Sequence, residues 1–513
     1  MRAALLLPVL LGLAAQASCG WRDCGHSSGA SRRPVGPAAV LTFHHHVNRD
    51  GLYVDPALTA VAAATMHRDR DFSGELPGDV YAQPLYVDDG PRGAGAFYVA
   101  TEGNDVVALD EQGLPIWTRN LGTPATQAGT GCGNISPIGI TGTPAVDAAM
   151  RLLVVSAATA DDRGNVATHT VHALSIDDGS ERWALDVATM KDPLGRSFNP
   201  APQNDRGGIL IVGGVAYVPY GGTARDCGDF HGWIVGIPLA HPEGARAYAT
   251  TTKGAGFWAQ GGPSSDGSAV FAVSGNSIES NDVWEGSEGV FRFGAGPTFS
   301  RAPDDVFVPE DWRRLDRHDL DLGGSGPLVV DAPAMTPSAL IVAAGKDGQV
   351  YLLDRAHLGG VGAAPLATQR VMNGAIIGAG AFATVRGVTY VVLKGFRGAT
   401  ALTCPVGSSG DLVALRLDPA APGHMTTAWC ADNGGEGAPI VTTTDGVADA
   451  LVWTVGAEGS GRLHAWDLAS GRAVFTGGSA ADVMTGLHRY ATVVDVHGRL
   501  FVAGDRRLYA FAS

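Results

Sequence analysis

From about residue 80 onward, short runs of β-branched and aromatic residues alternate with turns carrying Gly, Asp and Asn, and one unit recurs every roughly 35 to 60 residues. The clearest copy reads Phe97-Tyr98-Val99-Ala100, a tight turn over Glu102-Gly103-Asn104-Asp105, Val106-Val107-Ala108-Leu109-Asp110, then Gly113 and Trp117. Second strands of further copies fall near Leu152 to Ser156, Val215 to Tyr220, Ala269 to Ser274, Ala339 to Ala343, Val388 to Leu393, Leu451 to Val455 and Leu500 to Ala503, which makes eight. Third strands follow at His172 to Leu174, Trp233 to Gly236, Val290 to Phe293, Val350 to Asp354, Leu412 to Leu415, Leu463 to Asp467 and Leu508 to Phe511. Runs of this length bounded by turn residues are strands, and no long segment carries a helical period. The chain is expected to be nearly all β.

A row of four-stranded sheets leaves open edges, and closing it into a ring hides them. The last copy stops at Ser513 straight after its third strand, so its outer strand must come from elsewhere, and Met66 to Leu76 is available. Small residues lead into the innermost strands, as in Gly142-Thr143-Pro144, Gly324-Ser325-Gly326-Pro327 and Gly437-Ala438-Pro439, where eight strands converge on one axis. The pattern predicts an eight-bladed β-propeller over residues 41–513, closed by an N-terminal strand.

Before it, Met1-Arg2-Ala3 and the apolar run Ala4 to Ala15 have the layout of a secretory signal, too short to anchor as a membrane span. Residues 1–18 are read as a signal peptide, and 19–40, rich in Gly, Ser, Arg and Pro, as a flexible leader. Two processing routes stay open: Ala15-Gln16-Ala17 is an A-x-A site, while Gln16-Ala17-Ser18-Cys19 is a degenerate lipobox that would lipidate Cys19. The destination is then the periplasm, the outer membrane as a lipoprotein, or the outside of the cell. In an oxidising compartment Cys404 and Cys430, which flank one blade, can pair, as can Cys132 and Cys227 in loops of nearby blades.

A net charge of −15 without any Lys/Arg cluster interleaved with aromatics argues against a nucleic-acid partner. No P-loop, dinucleotide-binding glycine pattern, H-E-x-x-H or G-x-S-x-G is present. A monomer is expected. Most loops between second and third strands are short, but Tyr220 to Gly232, Ser274 to Gly289 and Lys394 to Asp411 are long and polar. Blades three, four and six therefore decorate one rim, where a small molecule or a protein would bind. His44-His45-His46 suggests metal chemistry, yet strand alternation would put only His44 and His46 on one face, which favours a structural role.

The Ala-Leu-Asp, Gly, Trp arrangement, with Trp117, Trp183 and Trp429 in place and Phe475 as a substitute, resembles the tryptophan-docking motif of quinoprotein propellers. The resemblance extends over about residues 75 to 513 to quinoprotein alcohol and methanol dehydrogenases. Those enzymes hold pyrroloquinoline quinone (PQQ) over a calcium ion bound by carboxylate and Asn oxygens. It implies Asp229 and Asn276 as metal ligands, Asp319 or Asp321 as catalytic base and Lys346 against the quinone. Trp258 and Trp284 can stack on a planar cofactor or pack between blades. Turn and capping chemistry is the more ordinary account of Asp229, Asn276, Asp321 and Lys346-Asp347-Gly348. This sequence departs from the family in lacking both an adjacent Cys-Cys pair and a C-x-x-C-H haem site.

Val80-Tyr81-Ala82-Gln83-Pro84-Leu85-Tyr86-Val87, Cys132-Gly133-Asn134-Ile135, His231-Gly232-Trp233 and Leu353-Asp354-Arg355 resemble, more closely, secreted bacterial proteins with PQQ-like repeats. That resemblance implies an extracytoplasmic binding or scaffold propeller without an assigned ligand. The alternatives are a PQQ- and calcium-dependent alcohol or sugar dehydrogenase that passes electrons to a separate acceptor, and a lipoprotein scaffold of outer-membrane assembly.

Overall fold

Each turn-bounded pair of apolar runs forms the centre of one antiparallel sheet in the computed structural model, which describes residues 38–126, 132–279 and 283–513. Eight sheets follow one another in chain order. Their second strands are Ala96–Ala100, Leu152–Ala160, Val215–Gly222, Val270–Val273, Ala339–Ala344, Val388–Lys394, Leu451–Val455 and Arg499–Gly504. The protein is an eight-bladed β-propeller; α-helix among the described residues is confined to Ala60–Ala64 and Trp312–Arg317. No helix among the described residues is long and apolar enough to cross a membrane.

The last blade is completed from the other end of the chain. His67–Arg68 pairs antiparallel with Phe511 and Ala512 as the outer strand, and Glu75 bridges Arg507. Three blades gain a fifth strand: Leu52–Val54 runs parallel to Ile440–Thr443 in blade seven, Gly360–Val361 parallel to Val306–Val308 in blade four, and Gln203–Asn204 pairs antiparallel with Gly221 and Gly222 in blade three.

Tryptophans join neighbouring blades as their spacing suggests. Trp117 Nε1 donates to Ile176 O (3.2 Å), Trp183 Nε1 to Leu239 O (3.1 Å) and Trp429 Nε1 to Leu468 O (2.7 Å), each acceptor lying in the following blade. Phe475 is buried in the corresponding place.

The segment before the first blade corrects the expectation of a leader reaching residue 40. Val40 exchanges backbone hydrogen bonds with Tyr86, and the chain then circles the axis. Val146 N donates to Leu41 O, Ser265 N to Val47 O, Val329 N to Asn48 O, Phe382 N to Asp50 O and Val441 N to Gly51 O, so successive inner strands each grip it. The segment plugs the channel because these inner-strand donors face the axis and need partners once water is excluded.

Arg49, 1% exposed, is the hub of the plug. Its guanidinium donates to Pro263 O (2.9 Å), Thr42 Oγ1 (2.6 Å), Phe43 O (2.8 Å), Gly208 O (3.1 Å) and Ile209 O (3.2 Å). The three histidines are not on a strand: His44 and His45 have φ of 52° and 68°, which turns their side chains apart. His44 stacks on Phe43, His45 on Tyr53, and His46 pairs with Asp50 at 2.9 Å. The signal-like residues and Cys19 lie outside the described residues.

Candidate functional site

The loops between second and third strands share one face with the loops that lead into the inner strands. On that face the axis opens into a funnel of about 520 Å³, counting its open mouth, lined by Tyr81, Asn134, Thr141, Arg206, Trp258 and Tyr490 among others. A side lobe of about 430 Å³ shares Arg206 and Trp258 with the funnel and adds Asp226, Asn276, Asp321 and Lys346. Behind them stands the plug. Gln83 Oε1 accepts from His44 N (2.9 Å) and Gln83 Nε2 donates to Thr42 O (3.2 Å), while Thr492 Oγ1 lies 3.3 Å from His44 Nε2.

Two disulfides pin the long loops. Cys132 is bonded to Cys227, tying the loop that leads into blade two to the long loop of blade three. Cys404 is bonded to Cys430, tying the long loop of blade six to its outer strand Met425–Ala431.

Lys346 sits in the turn Gly345-Lys346-Asp347-Gly348, where Gly348 has φ of 78° and Asp347 Oδ1 accepts from Gln349 N. The turn aims Lys346 across the lobe. Its Nζ lies 2.5 Å from Asp319 Oδ1, pairs with Asp321 Oδ2, and stands 5.3 Å from the centre of the Trp258 ring. Asn276 N donates to Asp321 Oδ1. Asp321 is 2% exposed; burial pushes its carboxyl up and the Lys346 ammonium opposes that shift. Lys346 is itself held above the usual lysine range: its own burial works against the charge, and Asp321 and Asp319 outweigh it. Beside them the buried Glu288 accepts from Leu322 N (2.6 Å), and burial first, then the Asp321 charge, drives its carboxyl well upward.

Of the residues singled out in the sequence, Asn276, Asp321, Lys346 and Trp258 line one lobe, with Asp319 at its edge. Two stand elsewhere. The Asp229 side chain is largely exposed and lies 3.5 Å from Lys253 Nζ. Asp226 lines the lobe instead, because Arg225, Asp226 and Gly228 all take positive φ around the disulfide-bonded Cys227. Trp284 packs against Phe291 and donates to Ser287 O (2.6 Å), so it belongs to the packing of blade four.

Arg206 was not anticipated. It ends the phrase Asn204-Asp205-Arg206, and two glycines then lead into an inner strand, a position that faces the axis in a propeller. Its Nη2 reaches Gly222 O at 3.4 Å, its buried Nε has no partner, and no carboxylate among the described residues pairs with it. Burial holds its pKa below the usual arginine range. Asp226 is open to the lobe mouth, yet desolvation by the surrounding loops, then Asp321 and Asp319, push its carboxyl up to about 6.

No protein-family model matches the sequence, and no curated protein matches it. Among solved structures, the quinohemoprotein alcohol dehydrogenase of Comamonas testosteroni superposes with a TM-score of 0.60 at 14% identity, over 94% of this chain and 81% of the other. A europium-containing methanol dehydrogenase superposes with a TM-score of 0.63 at 12% identity, over 93% and 98%. The quinohemoprotein alcohol dehydrogenase ADHIIG of Pseudomonas putida HK5 gives 0.58 at 14%, over 93% and 80%.

The fold is that of the quinoprotein dehydrogenases. Against the quinone and calcium that the sequence resemblance implies, the residues present suit one half only. Trp258 offers an aromatic face and Arg206 a cation to a planar polycarboxylate, while Lys346 is held in ion pairs with Asp319 and Asp321. The calcium half does not fit. A calcium ion takes about six to eight oxygen ligands, whereas both Asp321 oxygens are engaged, by Lys346 and Asn276 N, and the uncommitted side-chain oxygens on Asp226 and Asn276, with Glu288 Oε1 behind and Asp319 at the edge, are too few and too spread to make that set.

Proposed function

We propose that the protein is an extracytoplasmic binding propeller whose axial funnel takes a planar small molecule bearing a carboxylate or similar anionic group. The observation that carries this reading is Arg206, a guanidinium in the wall shared by both lobes with no carboxylate paired to it. A desolvated cation without a counter-ion is costly, and an anionic ligand removes that cost with charge-assisted hydrogen bonds. Tyr81, Trp258 and Tyr490 supply aromatic walls for a flat ligand. Two disulfides and the signal-like N-terminus support an oxidising, exported setting.

Titration of the exported protein with PQQ, a planar polycarboxylate, followed by tryptophan fluorescence with and without Ca²⁺, tests the reading. Micromolar binding independent of Ca²⁺ is expected, weakened at least tenfold in Arg206→Gln. Absence of binding to PQQ and to simpler aromatic carboxylates would sink it.

A second reading, a PQQ- and calcium-dependent alcohol or sugar dehydrogenase, is favoured by Asp321 and Lys346 facing Trp258 and Asn276 in one lobe. It requires calcium-dependent, dye-linked alcohol or sugar oxidation by the PQQ-loaded protein, lost in Asp321→Asn. Tight PQQ binding without turnover supports the binding protein over the enzyme.

A further inference from the structure

Outside the funnel, on the same face, the last and first blades meet at a cluster that the proposed binding role does not use. Asp79 leads into the first blade, His488 lies in the loop leading into the last, and Asp505 sits in the last blade's turn Gly504-Asp505-Arg506. One ligand atom from each lies within 4.8 Å of the other two. His488 Nε2 is 2.5 Å from Asp505 Oδ1.

Local structure brings these three side chains together. Gly486, with φ of 70°, lets the His488 loop close on the turn, since a Cβ there would stand 2.7 Å from Asp505 Cβ. The Tyr81 ring stacks on the His488 imidazole at 3.9 Å and 14°, which fixes the ring plane. Arg506 N donates to Gly78 O (2.9 Å), holding the Asp79 strand against the same turn.

The charge of the cluster is not balanced by protein. The Asp79 carboxylate makes no hydrogen bond or ion pair among the described residues. Its neighbour Glu102, whose N–H donates to Asp79 O (2.9 Å), is 1% exposed, and its Oε1 has no partner. Two carboxylates and an imidazole, held partly open to solvent, form a donor set of the kind that holds a cation, with the buried Glu102 behind them held on one oxygen by Gly139 N (2.8 Å).

We propose that Asp79, His488 and Asp505 bind one divalent transition-metal ion of the zinc class, which clasps the seam where the ring closes. Nitrogen and carboxylate donors together select Zn²⁺ and its neighbours over Ca²⁺ and Mg²⁺, which want oxygen alone. With ligand bonds of about 2.1 Å in a tetrahedral arrangement, two donor atoms on one ion stand about 3.4 Å apart. Side-chain rotations of about an ångström would draw the 4.8 Å spread in and open the 2.5 Å His488–Asp505 contact to that spacing. Solvent completes the coordination shell. A pairing of two residues on each strand, His67–Arg68 with Phe511 and Ala512, otherwise carries much of the closure, so the ion would act as a second fastener.

The test is Zn²⁺ titration of the metal-stripped, untagged protein by calorimetry, with thermal melts in parallel. One equivalent is expected to bind and to raise the melting temperature. Asp79→Asn should weaken that binding at least tenfold and abolish the thermal shift while leaving the metal-free melt unchanged, because its carboxylate holds no protein partner. His488→Gln should do the same to binding, and if it unfolds through loss of the Tyr81 stack, Asp79→Asn decides. Absence of a stoichiometric Zn²⁺ site, binding unaffected by Asp79→Asn, or Ca²⁺ bound as tightly at these residues overturns the proposal.

Discussion

The indole of Trp429 lies flat over Gly471 of the next blade, so that a Cβ built on Gly471 would stand 2.5 Å from Trp429 Cγ. Gly471 also has φ of 68°, a left-handed conformation natural to glycine. Gly179 holds the same relation to Trp117, at 2.7 Å. Gly471→Ala therefore meets both a backbone penalty and an overpacked joint, and is expected to cost roughly 2–4 kcal/mol. A chemical-denaturation midpoint unchanged from the parent would contradict this account of the blade joints.

Lys346→Met leaves Asp321 buried against Trp258 without its cation. Breaking a buried pair from one side costs roughly 3–5 kcal/mol at neutral pH. The pH dependence has a definite sign. Asp321 has a raised folded pKa, so the folded state binds the proton more readily and stability falls as pH rises through that range. Removing Lys346 raises the carboxyl further. The deficit of the variant is thus largest at neutral pH and shrinks as pH falls toward the unfolded carboxylate range. Denaturation curves at a series of pH values show whether the two proteins converge in acid.

Arg49→Met removes the guanidinium's bonds to four backbone carbonyls and to Thr42 inside the plug; Ile209 O keeps the Thr42 hydroxyl, while Pro263, Phe43 and Gly208 lose these donors. Unpartnered buried acceptors are costly, and a loss of at least about 3 kcal/mol is expected. Arg49→Lys should recover little, since a point ammonium cannot serve acceptors arranged around a planar fork. Hydrogen exchange supplies the diagnostic. Amides of Val146, Ser265, Val329 and Phe382, which donate to the plug, should lose protection together in Arg49→Met.

Asp226 shares the side lobe with Arg206, and its carboxyl is pushed up to about 6. Above that pH its negative charge opposes an anionic ligand, and below it the charge is lost. Affinity for PQQ is accordingly expected to rise severalfold between pH 7.5 and 5. Asp226→Asn should flatten the dependence and bind at neutral pH as the parent binds in acid. A pH-independent parent would remove Asp226 from the site.

Much of the ring was legible because its causes are local. Alternation within Phe97–Ala100 and Val106–Leu109 marks strands, Gly113 marks the joint to the preceding blade and Trp117 the joint to the next. The lobe was partly legible. Asn276, Asp321 and Lys346 stand in turns whose place in the repeat put them on the axial face. Asp229 misled because the acid nearest the expected position is turned outward by a left-handed bend whose course depends on Cys132, 95 residues earlier.

By itself the sequence determined the eight strand units, their order and the docking tryptophans, all set by period and residue type, while the disulfides Cys132–Cys227 and Cys404–Cys430 it could only allow. Tertiary structure alone decided that residues 40–54 plug the axis, that Arg206 faces the funnel without a counter-ion, and that Asp79 meets His488 and Asp505. Those relations join residues tens to hundreds of positions apart. They arise only when closure of the ring brings inner-strand donors, loop backbones and unpaired charges together where water cannot serve them all.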